Sequence, residues 1–235
     1  MIKYTYLLID LFSLLVPLIF SFHPKIQLYK HWNALLPAIL ITAVVYLCWD
    51  SLFVHLGVWG FDPAYVTGFK IGNLPVEEVL FFICIPYSCV FTFDCLTRVI
   101  KATYIQQIVQ YINYGLALIL LVLSCIFYPR PYTASAFLLL LVLILAGNYF
   151  KVTWFPKFYV IYGILLLPFL IVNGLLTGTG LARPVVWYSA GGIIGLRIMT
   201  IPFEDIFYGM GLILINVWLY TWIRSREWRS ARVLS

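Results

Sequence analysis

Long apolar runs alternate with short polar breaks along this chain. Runs long enough to cross a bilayer as helices fall at residues 4 to 22, 33 to 56, 75 to 97, 111 to 128, 134 to 150, 157 to 176 and 202 to 223. The pattern predicts an all-α, polytopic membrane helix bundle of about seven transmembrane helices. The fourth and fifth runs are the shortest, and Tyr128-Pro129-Arg130-Pro131 between them reads as a tight turn. The first run contains Asp10 and Pro17 and ends without a small-residue cleavage pattern, so it is read as a retained span rather than a signal peptide.

Composition supports that class. The chain is 63% hydrophobic and only 10% charged, which places it among integral membrane proteins. Charged side chains gather at the ends of the runs, as expected when an ionised group at the bilayer centre costs about 2.5 to 3.5 kcal/mol. Seven spans place Lys25, Lys30, Arg98, Lys101, Lys151, Lys157, Arg224, Arg226, Arg229 and Arg232 on one side, and Lys3, Lys70, Arg130, Arg183 and Arg197 on the other. This bias predicts an outside N-terminus and a cytoplasmic C-terminus. Topology and anionic headgroups account for the net charge of +6, and basic residues scattered over loops argue against nucleic acid as a partner.

Several other chemistries find no support. Cys48, Cys84, Cys89, Cys95 and Cys125 lie in apolar runs without zinc-type spacing, and His23, His31 and His55 sit in a loop or at a helix end, so no metal is expected. Gly178-Thr179-Gly180 and Gly191-Gly192-Ile193-Ile194-Gly195 do not follow a predicted strand in a βαβ unit, which removes the dinucleotide reading. No cofactor is expected.

A shift of 127 residues lays Gly68 on Gly195, Lys70 on Arg197, Pro75 on Pro202, Glu77 on Glu204, Glu78 on Asp205 and Phe81 on Tyr208. The same shift superposes spans one to three on spans five to seven. The expected organisation is a first three-helix unit at 1–100, a connector helix at 101–130, and a second three-helix unit with a basic C-terminal tail at 131–235. Equivalent helices are four spans apart, so the units run parallel about an axis along the membrane normal.

The acids follow this duplication. Leu74-Pro75-Val76-Glu77-Glu78 and Ile201-Pro202-Phe203-Glu204-Asp205 both open apolar runs, on the same side of the membrane. Asp10 and Asp50 lie about 9 Å deep from that side, at 1.5 Å per helical residue. Proline followed by acids is also ordinary helix-start chemistry, but here the motif recurs at matched depth with further acids beside it. Neighbouring residues on a helix point about 100° apart, so one acid of each pair faces a cavity while the other faces a helix or the interface. Phe81 and Tyr208 lie one turn beyond Glu77 and Glu204, and Trp49, Trp59, Trp187 and Tyr188 lie near the same level. Interfacial anchoring is the competing reading of these rings.

Paired carboxyls in an apolar, aromatic pocket suit one kind of reaction. Such a site can keep an acid neutral and ready to donate a proton. An olefin accepts it to form a carbocation, aromatic faces stabilise the cation, and a carboxylate ends the reaction by removing a proton. Isoprenoid cyclisation has this form.

The two Pro-x-Glu-acidic motifs, the Phe81-Phe82 and Phe207-Tyr208 that follow them, Trp49-Asp50, and the stretch from Asn173-Gly174 to Trp187-Tyr188 resemble the membrane-integral lycopene cyclases of bacteria and archaea, which are encoded elsewhere as two small subunits or fused to phytoene synthase. The resemblance covers nearly the whole chain, with both subunit-like halves in one polypeptide. It implies β-ring formation at the ψ ends of lycopene, or of a related acyclic carotenoid, by protonation at C2, attack of the C5=C6 bond on the cation at C1, and loss of the C6 proton. Glu77 and Glu204 are then the leading acid and base candidates, with Glu78 and Asp205 as their partners or as the active members themselves. Asp10, Asp50, Trp59, Phe81, Trp187 and Tyr208 are the candidate substrate-binding residues. The second motif carries Asp205 where the first carries Glu78, so the halves need not be equivalent. A carotenoid end-group hydratase on the same scaffold and a membrane transporter or proton relay remain as alternatives, and self-association into a homo-oligomer stays open.

Overall fold

In the computed structural model, backbone is described for residues 2–101 and 106–233 and side chains for 3–101 and 108–226. Residues 102–105 of the expected connector, and the side chains of Arg229 and Arg232 in the basic tail, fall outside the described part. Seven α-helices account for most of the chain: α1 (Thr5–Phe20), α2 (Trp32–His55), α3 (Val76–Thr97), α4 (Gln106–Ile126), α5 (Pro131–Tyr149), α6 (Phe155–Leu176) and α7 (Glu204–Val233). Six are long and apolar enough to cross a membrane. The remaining one, α1, has 16 residues and a length of about 24 Å at 1.5 Å per residue.

Helix boundaries follow local chemistry. Proline stands in the first turn of α5 and α6, where its missing N–H is not needed. The helices α3 and α7 begin after Pro75 and Pro202 and carry two acids each in their first turns. No glycine or proline follows Gly211, so α7 continues to Val233 and the tail expected beyond residue 223 extends that helix. Large apolar side chains such as Phe12, Val44, Leu118, Leu167 and Trp222 stay exposed, as a surface facing lipid requires. The chain is an integral membrane protein, and among the described residues its buried interior contains thirteen polar or charged residues, six of them the acids of the two motifs together with Asp10 and Asp50.

The all-α expectation omits six short strands. The strands β1 (Trp59–Phe61) and β4 (Val186–Tyr188) pair antiparallel, with Trp59 opposite Tyr188, Gly60 opposite Trp187 and Phe61 opposite Val186. Two small hairpins precede the acidic helices: β2 (Lys70–Ile71) with β3 (Leu74–Pro75), and β5 (Arg197–Ile198) with β6 (Ile201–Pro202). Their contacts recur at the 127-residue shift. Val76 N donates to Phe69 O at 2.9 Å and Phe203 N to Leu196 O at 3.0 Å. Gly72 turns the first hairpin at φ 64°, and Met199 occupies the equivalent left-handed position at φ 57°, where a side chain is disfavoured.

The β1–β4 pairing joins the loop before α3 to the loop before α7. Its register is symmetric under the same shift, with Gly60 and Trp187 at the centre. A side chain at Gly60 would collide with the Trp187 indole, so glycine is needed for the two loops to meet this closely.

Candidate active site

Each acidic motif places its two carboxyls differently. The first acid turns back to its own hairpin loop. Glu77 Oε1 accepts the Thr67 backbone N–H at 2.6 Å, and Glu204 Oε1 accepts the Ile194 N–H at 2.6 Å and the Thr133 hydroxyl at 2.6 Å. Both residues are fully buried. The second acid, about 100° further round the helix, faces a cavity.

That cavity, about 260 Å³, lies mainly among α1, α3, α6 and α7, with Asp50 of α2, Tyr132 of α5 and Trp59, Phe61, Val186 and Tyr188 of β1 and β4 also in its lining. Glu78 lines it from α3, Asp50 from α2 and Asp205 from α7, and the α2–α3 side and the α7 side are its two walls. Along α3 the lining runs from Glu78 to Thr92, about 21 Å at 1.5 Å per residue. The deeper part is chemically quiet because its hydroxyls are committed to backbone carbonyls: Ser13 to Ile9 O at 2.7 Å, Ser88 to Ser13 O and Cys84 O at 2.8 Å, and Thr92 to Ser88 O at 2.9 Å. A long apolar chain fits such a channel, with the polar chemistry confined to one end.

The two walls differ in hydrogen bonding. Glu78 Oε2 accepts the Tyr6 phenol at 2.5 Å, and the Glu78 and Asp50 carboxyls lie within hydrogen-bonding range of each other. A hydrogen bond between two carboxyls requires a proton on one of them. Tyr208 approaches Asp50 Oδ1 at 3.4 Å, while Asp50 Oδ2 has no donor. Across the cavity, Asp205 accepts Tyr132 OH at 2.6 Å, Asn173 Nδ2 at 2.8 Å and Tyr188 OH at 3.1 Å. Withdrawal from water, followed by the charge of Asp205, pushes the Tyr188 phenol well above its ordinary range and keeps it a donor.

Aromatic rings line the cavity or pack directly against its lining. Tyr208 meets Tyr132 edge to face at 5.7 Å and Trp49 at 5.3 Å. Trp59 packs against Tyr132 at 5.0 Å and stacks on Phe53 at 4.9 Å. Phe81 leans on Tyr6 at 6.3 Å. Ring faces of this kind attract a cation, most strongly where water is excluded.

Of the candidates read from the sequence, Glu78, Asp205, Asp50, Trp59, Phe81 and Tyr208 line the cavity, whereas Glu77, Glu204, Asp10 and Trp187 do not. Trp187 lies half-exposed at the centre of the ribbon, and Asp10 is buried on α1. Sequence reasoning assigned no site role to Tyr6 or Tyr132. Tyr6 had one available signal, its place one turn before Asp10 on a common helix face, and Tyr132 another, its place just after the proline that opens α5. Among the described residues, no group of three or more His, Cys, Asp or Glu side chains is arranged to hold a metal ion.

The sequence model of the family described as lycopene cyclase matches residues 3–96 and 129–223, the stretches that hold α1 to α3 and α5 to α7. Two curated relatives are bifunctional lycopene cyclase/phytoene synthases. The one from Aspergillus oryzae is 33% identical over 67 residues, 28% of this chain and 11% of that protein. The one from Aspergillus niger is 33% identical over 72 residues, 29% of this chain and 12% of that protein. The matched segment thus spans about a tenth of each relative's length. No solved structure matches the chain.

Proposed function

The chain belongs to the lycopene cyclase family, and from that premise we propose that it closes β-ionone rings at the ψ ends of lycopene by acid and base catalysis in this cavity. The observation that carries the reading is one apolar, aromatic cavity with a carboxyl pair on one wall and a carboxyl that accepts three hydrogen bonds on the other.

In this reading the polyene lies along the deep channel and its end group rests between the walls. The Asp50–Glu78 pair supplies the proton, and Glu78 delivers it to C2. The cation formed at C1 is attacked by the C5=C6 bond, which closes the ring and moves the charge to C5, where the faces of Trp59, Tyr132, Tyr188 and Tyr208 stabilise it. Asp205 then takes the proton from C6 and the C5=C6 bond re-forms. One proton enters and one leaves for each ring, so the reaction is an isomerisation. Three donors on Asp205 suit a group that accepts a proton, and a carboxyl–carboxyl contact suits a group that gives one.

Glu77 and Glu204 have a supporting role here. Each fixes the loop that carries its hairpin, which sets where the next residue on the helix points. Trp59, Phe61, Val186 and Tyr188 line the cavity with the acids, and in this reading their side chains help the cation meet a carboxylate before it meets water. The recurrence of hydrogen bonds at one fixed shift supports two parallel three-helix units joined by α4, and the basic bias supports a cytoplasmic C-terminus with the acidic end outside.

The test is expression in a host that accumulates lycopene. Ring closure twists the terminal double bond out of conjugation, so red lycopene should give way to a yellow-orange bicyclic or monocyclic carotenoid, resolved by chromatography and mass. Unchanged lycopene in cells whose membranes contain the protein would remove the cyclase reading.

A further inference from the structure

Five buried oxygens of the first motif and its neighbours have no hydrogen-bond partner: Asp10 Oδ1 and Oδ2, Asp50 Oδ2, Glu77 Oε2 and Thr67 Oγ1, with the Thr67 backbone N–H bonded to Glu77. Among the described residues, the carboxyls of the second motif contribute only Glu204 Oε2. Asp10 is fully buried. It lies one helical turn beyond Tyr6, the residue that holds Glu78, and therefore on the same face of α1. That face packs on α3, bringing Asp10 within electrostatic range of Glu77 and Glu78. It does not line the cavity.

Buried polar atoms nearly always have partners, and a polar site without protein donors is where internal water sits. Four of the five oxygens belong to carboxyls and the fifth to a hydroxyl, so acceptors outnumber donors in the array. Water supplies donors at both of its hydrogens.

We propose that Asp10, Asp50, Glu77 and Thr67 enclose a buried water site that returns solvent protons to the Asp50–Glu78 pair after each ring closes, with Asp10 as the relay. The proposal rests on the cyclisation reading. Each turnover leaves the pair one proton short and Asp205 one proton over, with the new ring between them. The relay restores the pair by a proton drawn from solvent through water and Asp10, and Asp205 releases its proton to solvent at the ribbon side, so the balance closes for every ring. Asp10 touches neither substrate nor cavity, which makes it a positioning and delivery residue.

A relay leaves a kinetic signature that a structural role does not. Purified wild type, Asp10→Asn and Asp10→Glu, reconstituted in lipid, should be mixed with lycopene and followed through the first and later turnovers. Wild type should form rings without a burst. Asp10→Asn, already protonated at Glu78, should form about one ring per enzyme at the wild-type rate and then slow by about tenfold or more, with KM unchanged. Asp10→Glu should restore most of the steady rate. Equal slowing of first and later turnovers, or no slowing of either, would overturn the relay. Absence of rings from wild type would instead remove the cyclase reading. Should Asp10→Asn fail to fold, an experimental structure of the wild type decides: ordered water within hydrogen-bond distance of Asp10 supports the proposal, and a dry site refutes it.

Discussion

The two acidic motifs share a scaffold and differ in how their inward-facing acids are partnered. In both, the first acid accepts a backbone N–H ten residues upstream, at 2.6 Å in each case. The second acids diverge. Glu78 has one tyrosine and a neighbouring carboxyl, whereas Asp205 has two tyrosines and an asparagine. Backbone geometry is thus preserved at the first acids, and side-chain partners have separated at the second, which is the difference on which the proposed direction of proton flow rests.

The largest effect that tests this contrast should come from exchanging acids for amides. Glu78→Gln should lower kcat by about 10² or more, because the amide cannot donate the proton. Glu77→Gln and Glu204→Gln, which keep an oxygen for the loop N–H, should retain activity within about tenfold of wild type. Pigment conversion at matched membrane levels measures both, and equal losses at Glu77 and Glu78 would erase the distinction between anchor and acid.

A smaller effect should follow from Tyr132→Phe. This removes one of three donors from Asp205 and leaves the Tyr208 and Trp59 ring contacts in place. A lost hydrogen bond to a charged group is worth about 1.5 to 3 kcal/mol, so kcat should fall between about tenfold and a hundredfold with little change in KM. An unchanged kcat would mean that Asp205 does not need its donors.

The smallest effect concerns stability. Met199 stands at φ 57° where the first hairpin has Gly72 at φ 64°, and a side chain in that region costs about 1 kcal/mol. Met199→Gly should therefore raise resistance to thermal unfolding in detergent and leave product identity unchanged, which would make the hairpins more alike without altering the chemistry.

Much of this architecture is legible in the sequence, for physical reasons. Apolar runs mark the helices because lipid requires internally satisfied backbone, and the 127-residue shift exposes the paired motifs. The ribbon and hairpins are less legible. Strands of two or three residues carry no periodicity, and Trp59 and Tyr188 meet only through pairing across more than half the chain. Among the acids, helix geometry led to the expectation that one of each pair turns inward without deciding which, and the cavity lining holds Glu78 and Asp205. That depends on the loop N–H of Thr67 and of Ile194, a contact made by tertiary structure. The donors of Asp205 come from α5, α6 and β4, brought together only by folding.

The central claim is that the acid lies on the first motif's wall and the base on the second's. It is tested most directly by comparing the products of Glu78→Gln and Asp205→Asn, purified and supplied with lycopene. Without its acid, Glu78→Gln should leave lycopene unchanged. Without its base, Asp205→Asn should still form the cation slowly and divert it, giving end groups in which a different neighbouring proton is lost or water is added, each identifiable by chromatography and mass. Diverted end groups from Glu78→Gln with untouched lycopene from Asp205→Asn would contradict the assignment and reverse the direction of proton flow.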